Sequence, residues 1–272
     1  MDGPTQSVVI CPFRLYFGPM GNDMATASAF TASPKFNSYA QYGEDVALRD
    51  LFGHEYRGTC IEVGAFDGRS GSNSLAFEEA GWKTVLVEPN PVLADKIRRE
   101  RPTAKLFQCA VGAVHGQVTL AIPAGAETLA SVSANAEQVK RMERSGTSVR
   151  HMIVPQLRID DLLEDAGVEQ IDFITIDVEG YEMDALRGFD IARWKPRIII
   201  LEDNSSGTSH EIVTWMEQHG YVRFRWSGCN DWYCHADDPL NTRSGRVATE
   251  FIKGLKAYKR ITLSGLKRAF AA

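Results

Sequence analysis

The chain has 272 residues, enough for one large α/β domain or two small ones. Its 44% apolar and 24% charged residues are the balance of an ordinary globular protein, and a net charge of -5 argues against nucleic acid as the main partner, since phosphate binding needs a concentrated Lys/Arg surface. No apolar run approaches the roughly 20 residues that span a bilayer, and the N-terminus lacks a basic-then-apolar leader, so a cytoplasmic location is expected.

Residues 1–36, rich in Gly, Pro, Ser, Thr and Ala, read as a loosely held arm. A single α/β body would then occupy 37–240. Ser38 to Phe52 predicts a helix with Val46, Leu48, Leu51 and Phe52 inward. From there, short apolar runs alternate with helical segments. The runs Thr59–Val63, Thr84–Val87, Leu106–Val111, Phe173–Ile176 and Ile198–Leu201 predict buried strands. Helices are expected at Ser72–Ala80, Pro91–Glu100, Ile159–Ala166, Tyr181–Leu186 and Ser209–His219. This rhythm is that of a doubly wound α/β fold with a mostly parallel sheet and helices on both faces. Tyr221–Trp226 and Trp232–His235 follow without a helix between them and predict an antiparallel hairpin at a sheet edge.

Two segments fall outside the rhythm. The stretch 123–150 is polar and rich in small residues, so it reads either as a substrate-covering insertion or as a surface excursion. The last segment, 241–272, places Lys253, Lys256, Lys259, Arg260, Lys267 and Arg268 among Phe251, Ile252, Leu255, Ile261, Leu263, Leu266 and Phe270. That is a basic amphipathic helix, which either packs on its own domain or touches an anionic membrane surface. Of the cysteines, Cys60 and Cys109 sit in apolar runs, while Cys229 and Cys234 lack zinc-site spacing.

The chemistry concentrates after the predicted strands. The first is followed by Glu62-x-Gly64-x-x-x-Gly68, a turn where glycines let the backbone bend sharply and approach a ligand. Glu88 ends the next strand, 20 residues after Gly68, where a carboxylate accepts hydrogen bonds from both hydroxyls of a nucleoside ribose. A dinucleotide fingerprint would place a second glycine where Phe66 stands, and Asp67 adds a charge that a pyrophosphate would oppose. A sulfonium donor tolerates both. After the fourth core strand, Asp177 and Glu179 lie at the functional edge of the sheet, and the neighbouring strand ends in Glu202-Asp203-Asn204. Carboxylates so placed are expected to serve as base or, through Asp177, Asp203 and Asn204, as ligands of Mg²⁺ or another divalent cation.

In this order the motifs resemble those of the FkbM-type methyltransferases, a branch of the class I S-adenosylmethionine-dependent enzymes. The resemblance rests on Gln41-Tyr42-Gly43-Glu44-Asp45, Glu62-Val63-Gly64-Ala65-Phe66-Asp67-Gly68, Val87-Glu88-Pro89-Asn90, Ala110-Val111-Gly112, Arg158-Ile159-Asp160-Asp161-Leu162 and Ile176-Asp177-Val178-Glu179-Gly180-Tyr181-Glu182. Ala40 stands where the family usually has Ser. The resemblance implies a seven-stranded Rossmann-like sheet whose last strand is antiparallel, and O-methylation of a sugar or natural-product hydroxyl. It implies that Gly64, Ala65 and Gly68, with Glu62 and Asp67 beside them, line the amino-acid part of S-adenosylmethionine. Glu88 and Pro89 would hold the ribose, Ala110 would meet the adenine, and Gln41 and Glu44 would close the pocket. Asp177 would stand near the transferred methyl, with Glu179 and Asp203 as further catalytic candidates. Acceptor contacts are expected from 123–150 and from the loops around Trp226, Trp232 and Tyr233. Two rivals remain. A nicotinamide-dependent oxidoreductase is opposed by Phe66 and by the lack of a Tyr-x-x-x-Lys set near the crevice. A non-catalytic nucleoside-binding module is opposed by the joint presence of Asp177, Glu179, Glu202 and Asp203.

Overall fold

Five short strands carry side chains that alternate between two apolar layers, and that alternation builds the sheet. In β8 (Ile198–Glu202), Ile198 and Ile200 join one core cluster, while Ile199 and Leu201 join the other. β1 (Thr59–Val63) and β7 (Phe173–Ile176) divide in the same way, with Cys60 and Phe173 on one side and Ile61 and Ile174 on the other. A strand buried on both faces is largely apolar, and the buried polar exceptions in these strands are Glu62 and Thr175. The computed structural model describes residues 36–124, 130, 132, 148–203, 205 and 209–269, although past Leu255 only the Tyr258 side chain is described. The predicted arm, apart from Phe36, and most of 123–150 lie outside these residues.

With β2 (Lys83–Val87), β3 (Lys105–Phe107), β9 (Tyr221–Ser227) and β10 (Asn230–His235), the seven strands run in the order β3-β2-β1-β7-β8-β10-β9. β1, β2, β3, β7 and β8 are parallel, whereas β10 is antiparallel to both its neighbours. The order reverses between β1 and β7, which opens a crevice beyond their carboxyl ends. One face packs an aromatic cluster of Phe77, Trp82 and Phe173 against α1 (Glu44–Phe52) and α2 (Leu75–Glu79). α4 (Ile159–Asp165), α5 (Glu182–Arg187), α6 (Ile191–Trp194) and α7 (Glu211–Gln218) contribute to the other cluster. α3 (Pro91–Glu100) starts with Pro91 in its first turn and the Asn90 side chain accepting from the Val92 N–H at 3.1 Å.

Two expectations are revised. The first helix begins at Glu44 rather than Ser38. The Asp45 carboxylate accepts from the Ser38 hydroxyl at 2.8 Å and from the Tyr39 N–H at 2.6 Å, which holds 38–43 as a turn. The run Leu106–Val111 is not one strand. β3 ends at Phe107, and β4 (Ala110–Val111) leaves for a second sheet of order β4-β6-β5. That sheet, with β5 (Gly116–Pro123) and β6 (Val149–Leu157), gives no sequence signal strong enough to predict it. Pro155 interrupts β6 just before β4 joins at Gln156, so it sits where only β5 flanks the strand. The late hairpin is present, with its second strand β10 against β8. The final helix, α8 (Arg243–Ala269), lies within the 241–272 segment and packs on β9.

Candidate active site

The crevice holds a cavity of about 580 Å³, walled by the turns after β1, β2, β7 and β8 and by β4 and β5. At its base, Gly64 has a φ of 86°, and a Cβ there would overlap the Asp177 carbonyl oxygen, so the turn closes only with glycine. The Gly64 and Ala65 N–H groups both donate to the Val87 carbonyl at 3.0 Å, which locks the turns of β1 and β2 together. Phe66 follows in the left-handed region at 51° and donates its N–H to Glu88 Oε2 at 2.9 Å, while Asn90 donates to Oε1 at 2.8 Å. Each oxygen of Glu88 keeps a lone pair for a ligand. Burial pushes the Glu88 carboxyl up to about 7 against these two backbone bonds. Beside it, Pro89, Leu93, Cys109 and Ala110 form an apolar slot suited to a purine.

Glu62 lines the cavity yet is committed to structure. It accepts from Ser72 and Ser74 hydroxyls at 2.8 and 2.5 Å and from the Asn73 N–H at 2.8 Å, with Arg101 at 3.5 Å behind it. Gln41 and Tyr42 also line the cavity, Tyr42 beside Cys229. Glu44 does not line it. Its carboxylate accepts from the Tyr42 N–H at 2.9 Å, the Ser227 hydroxyl at 2.7 Å and Asn230 Nδ2 at 3.0 Å, so it ties the Gln41 turn to the β9–β10 hairpin.

Across the cavity lie Asp177, Glu179 and Glu202. The Asp177 side chain opens to the cavity, and Asp177, Glu182 and Glu202 each place a carboxylate oxygen within 4.8 Å of the others. Burial raises both Asp177 and Glu202; the charge of Asp177 raises Glu202 further, and that of Glu62 raises Asp177. The two hydrogen-bond to each other, which two carboxyls do only when one is protonated. Glu179, held at a φ of 52° next to Gly180, is pushed up to about 7 by burial and by Asp177 and Glu182. Glu182 accepts from the Gly180 N–H at 2.9 Å and the Val178 N–H at 3.3 Å, fixing that turn. Among the described residues that line the cavity, none is Lys, Arg or His.

Besides Glu44, three expected site residues are placed outside the cavity wall. Asp67 is outside the cavity wall, where it accepts from the Arg69 and Ser70 N–H groups at 2.9 and 2.7 Å and pairs with Lys96 at 2.8 Å. Burial works to raise its carboxyl, but Lys96 and these N–H donors prevail and hold it at about 2. Gly68 packs on Ile97 and Arg101, away from the cavity. Asp203 is also absent from the wall. Lys253 of α8 pairs with it at 2.6 Å, and the Ser205 N–H donates to it at 2.9 Å. The set Asp177, Asp203 and Asn204 is therefore not brought together by Asp203, and Asn204 lies outside the described residues. Trp232 and Tyr233 are core residues with no exposed surface. Glu202 and Glu182 take the positions that the sequence reading gave to Asp203. Strand alternation was the signal for Glu202: neighbours on β8 point to opposite faces, so only one of Glu202 and Asp203 reaches the cavity.

A seven-stranded sheet of this order, with Glu88 and the Asp177–Glu202 carboxylates lining one crevice at its strand ends, is the architecture of a class I methyltransferase. The family model of the methyltransferase FkbM domain matches residues 62–223, and the chain belongs to that family. It is thus an S-adenosylmethionine-dependent methyltransferase. Among solved structures, the chain is similar to a TehB-like S-adenosylmethionine-dependent methyltransferase from Corynebacterium glutamicum, at 14% identity and a TM-score of 0.39, over 72% of this chain and 88% of that one. It is also similar to precorrin-6y C5,15-methyltransferase from Geobacter metallireducens, at 12% identity and a TM-score of 0.38, over 70% and 84%. Comparison with curated protein sequences gave no match.

Proposed function

We propose that the chain transfers the methyl group of S-adenosylmethionine to a hydroxyl of a sugar or natural-product acceptor, in the cytoplasm, with the Asp177–Glu202 pair receiving the hydroxyl proton. The observation that carries the reading is the cavity wall. Glu62, Glu88, Asp177, Glu179 and Glu202 face a space with no Lys, Arg or His among its described lining residues. Such a wall favours a ligand bearing an ammonium and a sulfonium and disfavours the pyrophosphate of a nicotinamide dinucleotide.

When bound, the donor supplies a methyl already activated on a positive sulfur. Glu88 would accept from the ribose hydroxyls with its remaining lone pairs, and Ala110, Cys109 and Leu93 would flank the base. Gly64 and Ala65 present backbone to the amino-acid part, and Gln41 covers it. The chain's chemical task is then proton removal: a C–O bond forms, the C–S bond breaks with its electron pair left on sulfur, and the hydroxyl proton passes to the carboxylate. A carboxyl raised by burial and by a like charge is a stronger base than one in water, which suits an alcohol. The absence of His from the described wall leaves this task to Asp177 and Glu202, with Glu179 next to them.

A second reading of the same cluster is a divalent cation held by Asp177, Glu182 and Glu202, whose oxygens are spaced for one. The test is transfer of a labelled methyl to a panel of glycosides, with the product's linkage read by NMR, in Mg²⁺ and in chelator. An O-methyl product formed equally in both supports the proton-transfer reading. Loss of turnover in chelator selects the cation, and an N- or C-methyl product overturns the acceptor class.

A further inference from the structure

Half of the exposed large apolar residues of the described chain sit on twelve consecutive positions of one helix. They are Val247, Phe251, Ile252, Leu255 and Tyr258 of α8, of which Val247, Phe251 and Tyr258 are 62%, 66% and 69% exposed. Val247, Phe251, Leu255 and Tyr258 recur every three or four residues, the spacing of one helical face. The opposite face is fixed to the domain. The Thr249 hydroxyl donates to the Phe224 carbonyl at 3.3 Å, and buried Lys253 pairs with Asp203 and Asp231 at 2.6 Å. The helix therefore cannot roll to bury its apolar stripe without breaking a buried ion pair.

Charge says what covers the stripe. Between Arg243 and Ala269 there are eight Lys or Arg residues and one acidic residue, Glu250, a net +7 on a chain whose total is -5, so the remainder carries -12. Lys253 is neutralised inside the domain, and of the other basic residues Arg243 and Arg246 are exposed. Two copies of so basic a helix would repel each other along their length. An anionic bilayer would attract this helix and repel the rest of the molecule, which orients the domain as well as binding it. At 27 residues the helix is long, yet no described helix is apolar enough to cross a membrane, so it would lie in the interface plane.

We propose that α8 is a membrane-docking helix that seats its Val247–Phe251–Leu255–Tyr258 stripe in an anionic lipid surface. The inference is independent of the acceptor assigned above. The experiment is flotation of the full chain with vesicles of phosphatidylcholine alone or mixed with phosphatidylglycerol, for wild type, F251D/L255D and K256E/K259E/R260E. Wild type should float only with the mixed vesicles, and should be released at about 1 M salt, where the screening length falls to about 3 Å. Each variant should lose at least tenfold in bound fraction while binding S-adenosylmethionine in solution as wild type does. Absence of flotation, or flotation unchanged in both variants, overturns the proposal. So does sedimentation showing a wild-type dimer that F251D/L255D converts to monomer without any vesicle binding. The second variant leaves the stripe intact, so a folding failure of the first does not blunt the test.

Discussion

Glu202 and Asp203 are adjacent in sequence and end in opposite electrostatic surroundings. Asp203 turns to the face covered by α8, where Lys253 bridges it to Asp231 and Arg223 bridges Asp231 to Glu250, at distances of 2.6–2.9 Å. Glu202 turns to the cavity, where the nearby charges acting on it are those of Asp177, Glu179 and Glu182. On one side cations meet carboxylates and the network holds a helix in place. On the other, carboxylates meet one another and protons bind more tightly than they would in water. A carboxylate's surroundings here are set by strand register rather than by residue type: a shift of one position exchanges a structural ion pair for a cavity-lining acid that holds its proton.

The largest effect should come from removing the shared proton site. D177N should lower turnover by roughly 10²–10⁴-fold, the range that a positioned general base contributes, while S-adenosylmethionine affinity by calorimetry changes by only a few-fold. Equal losses in affinity and turnover would show Asp177 to be a donor contact only. On the other side, K253M removes the cation that faces Asp203 and Asp231 and leaves their charges buried. Loss of one partner from a buried pair costs about 3–5 kcal/mol, to be read from urea unfolding. A change below about 1 kcal/mol would mean that water reaches the network and that α8 is only loosely held.

Glu88 extends the contrast because it is a buried acid that lines the cavity and has no cation paired with it among the described residues. Its carboxyl stands at about 7 in the folded chain against an ordinary 4.5. The protonated form therefore favours the fold: this contribution is complete below pH 4.5 and is lost as the pH rises through 7. E88Q should weaken donor binding at least tenfold, because its amide keeps only one acceptor oxygen and leaves one of the Phe66 and Asn90 N–H groups facing a donor. In wild type, affinity should rise from pH 6 to 7 and then level off, because two ribose hydroxyls need an ionised acceptor. In E88Q that rise should vanish. A wild-type affinity that is flat over this range would remove Glu88 from the ribose.

Much of this was legible beforehand. The strands Thr59–Val63 and Phe173–Ile176 and the helix Pro91–Glu100 fall where apolar runs and a proline start placed them. Gly64 and Glu88 were placed at the crevice because turn geometry and strand ends are local properties, and both line the cavity. What was not legible depends on partners remote in sequence. Asp67 reads as a ligand contact until Lys96 is seen beside it at 2.8 Å, and Lys253 reads as a solvated charge until Asp231 meets it across 22 positions. The second sheet escaped because Pro155 and the alternating exposure of β6 blur a strand whose pairing lies across the chain.

The smallest expected effect tests the register argument directly. D203N keeps the side chain's shape and leaves Lys253 with both oxygens of Asp231, at 2.6 and 2.7 Å. The helix should stay docked at a cost of about 1 kcal/mol, the loss of one charge-assisted bond whose partner is still satisfied. Turnover should change less than threefold, because the side chain points away from the cavity. Its neighbour should behave otherwise, with E202Q losing most of its turnover at little cost to stability. If D203N instead lost turnover as fully as E202Q, the end of β8 would have to rotate during the reaction. The opposition between the two faces would then describe the resting state alone.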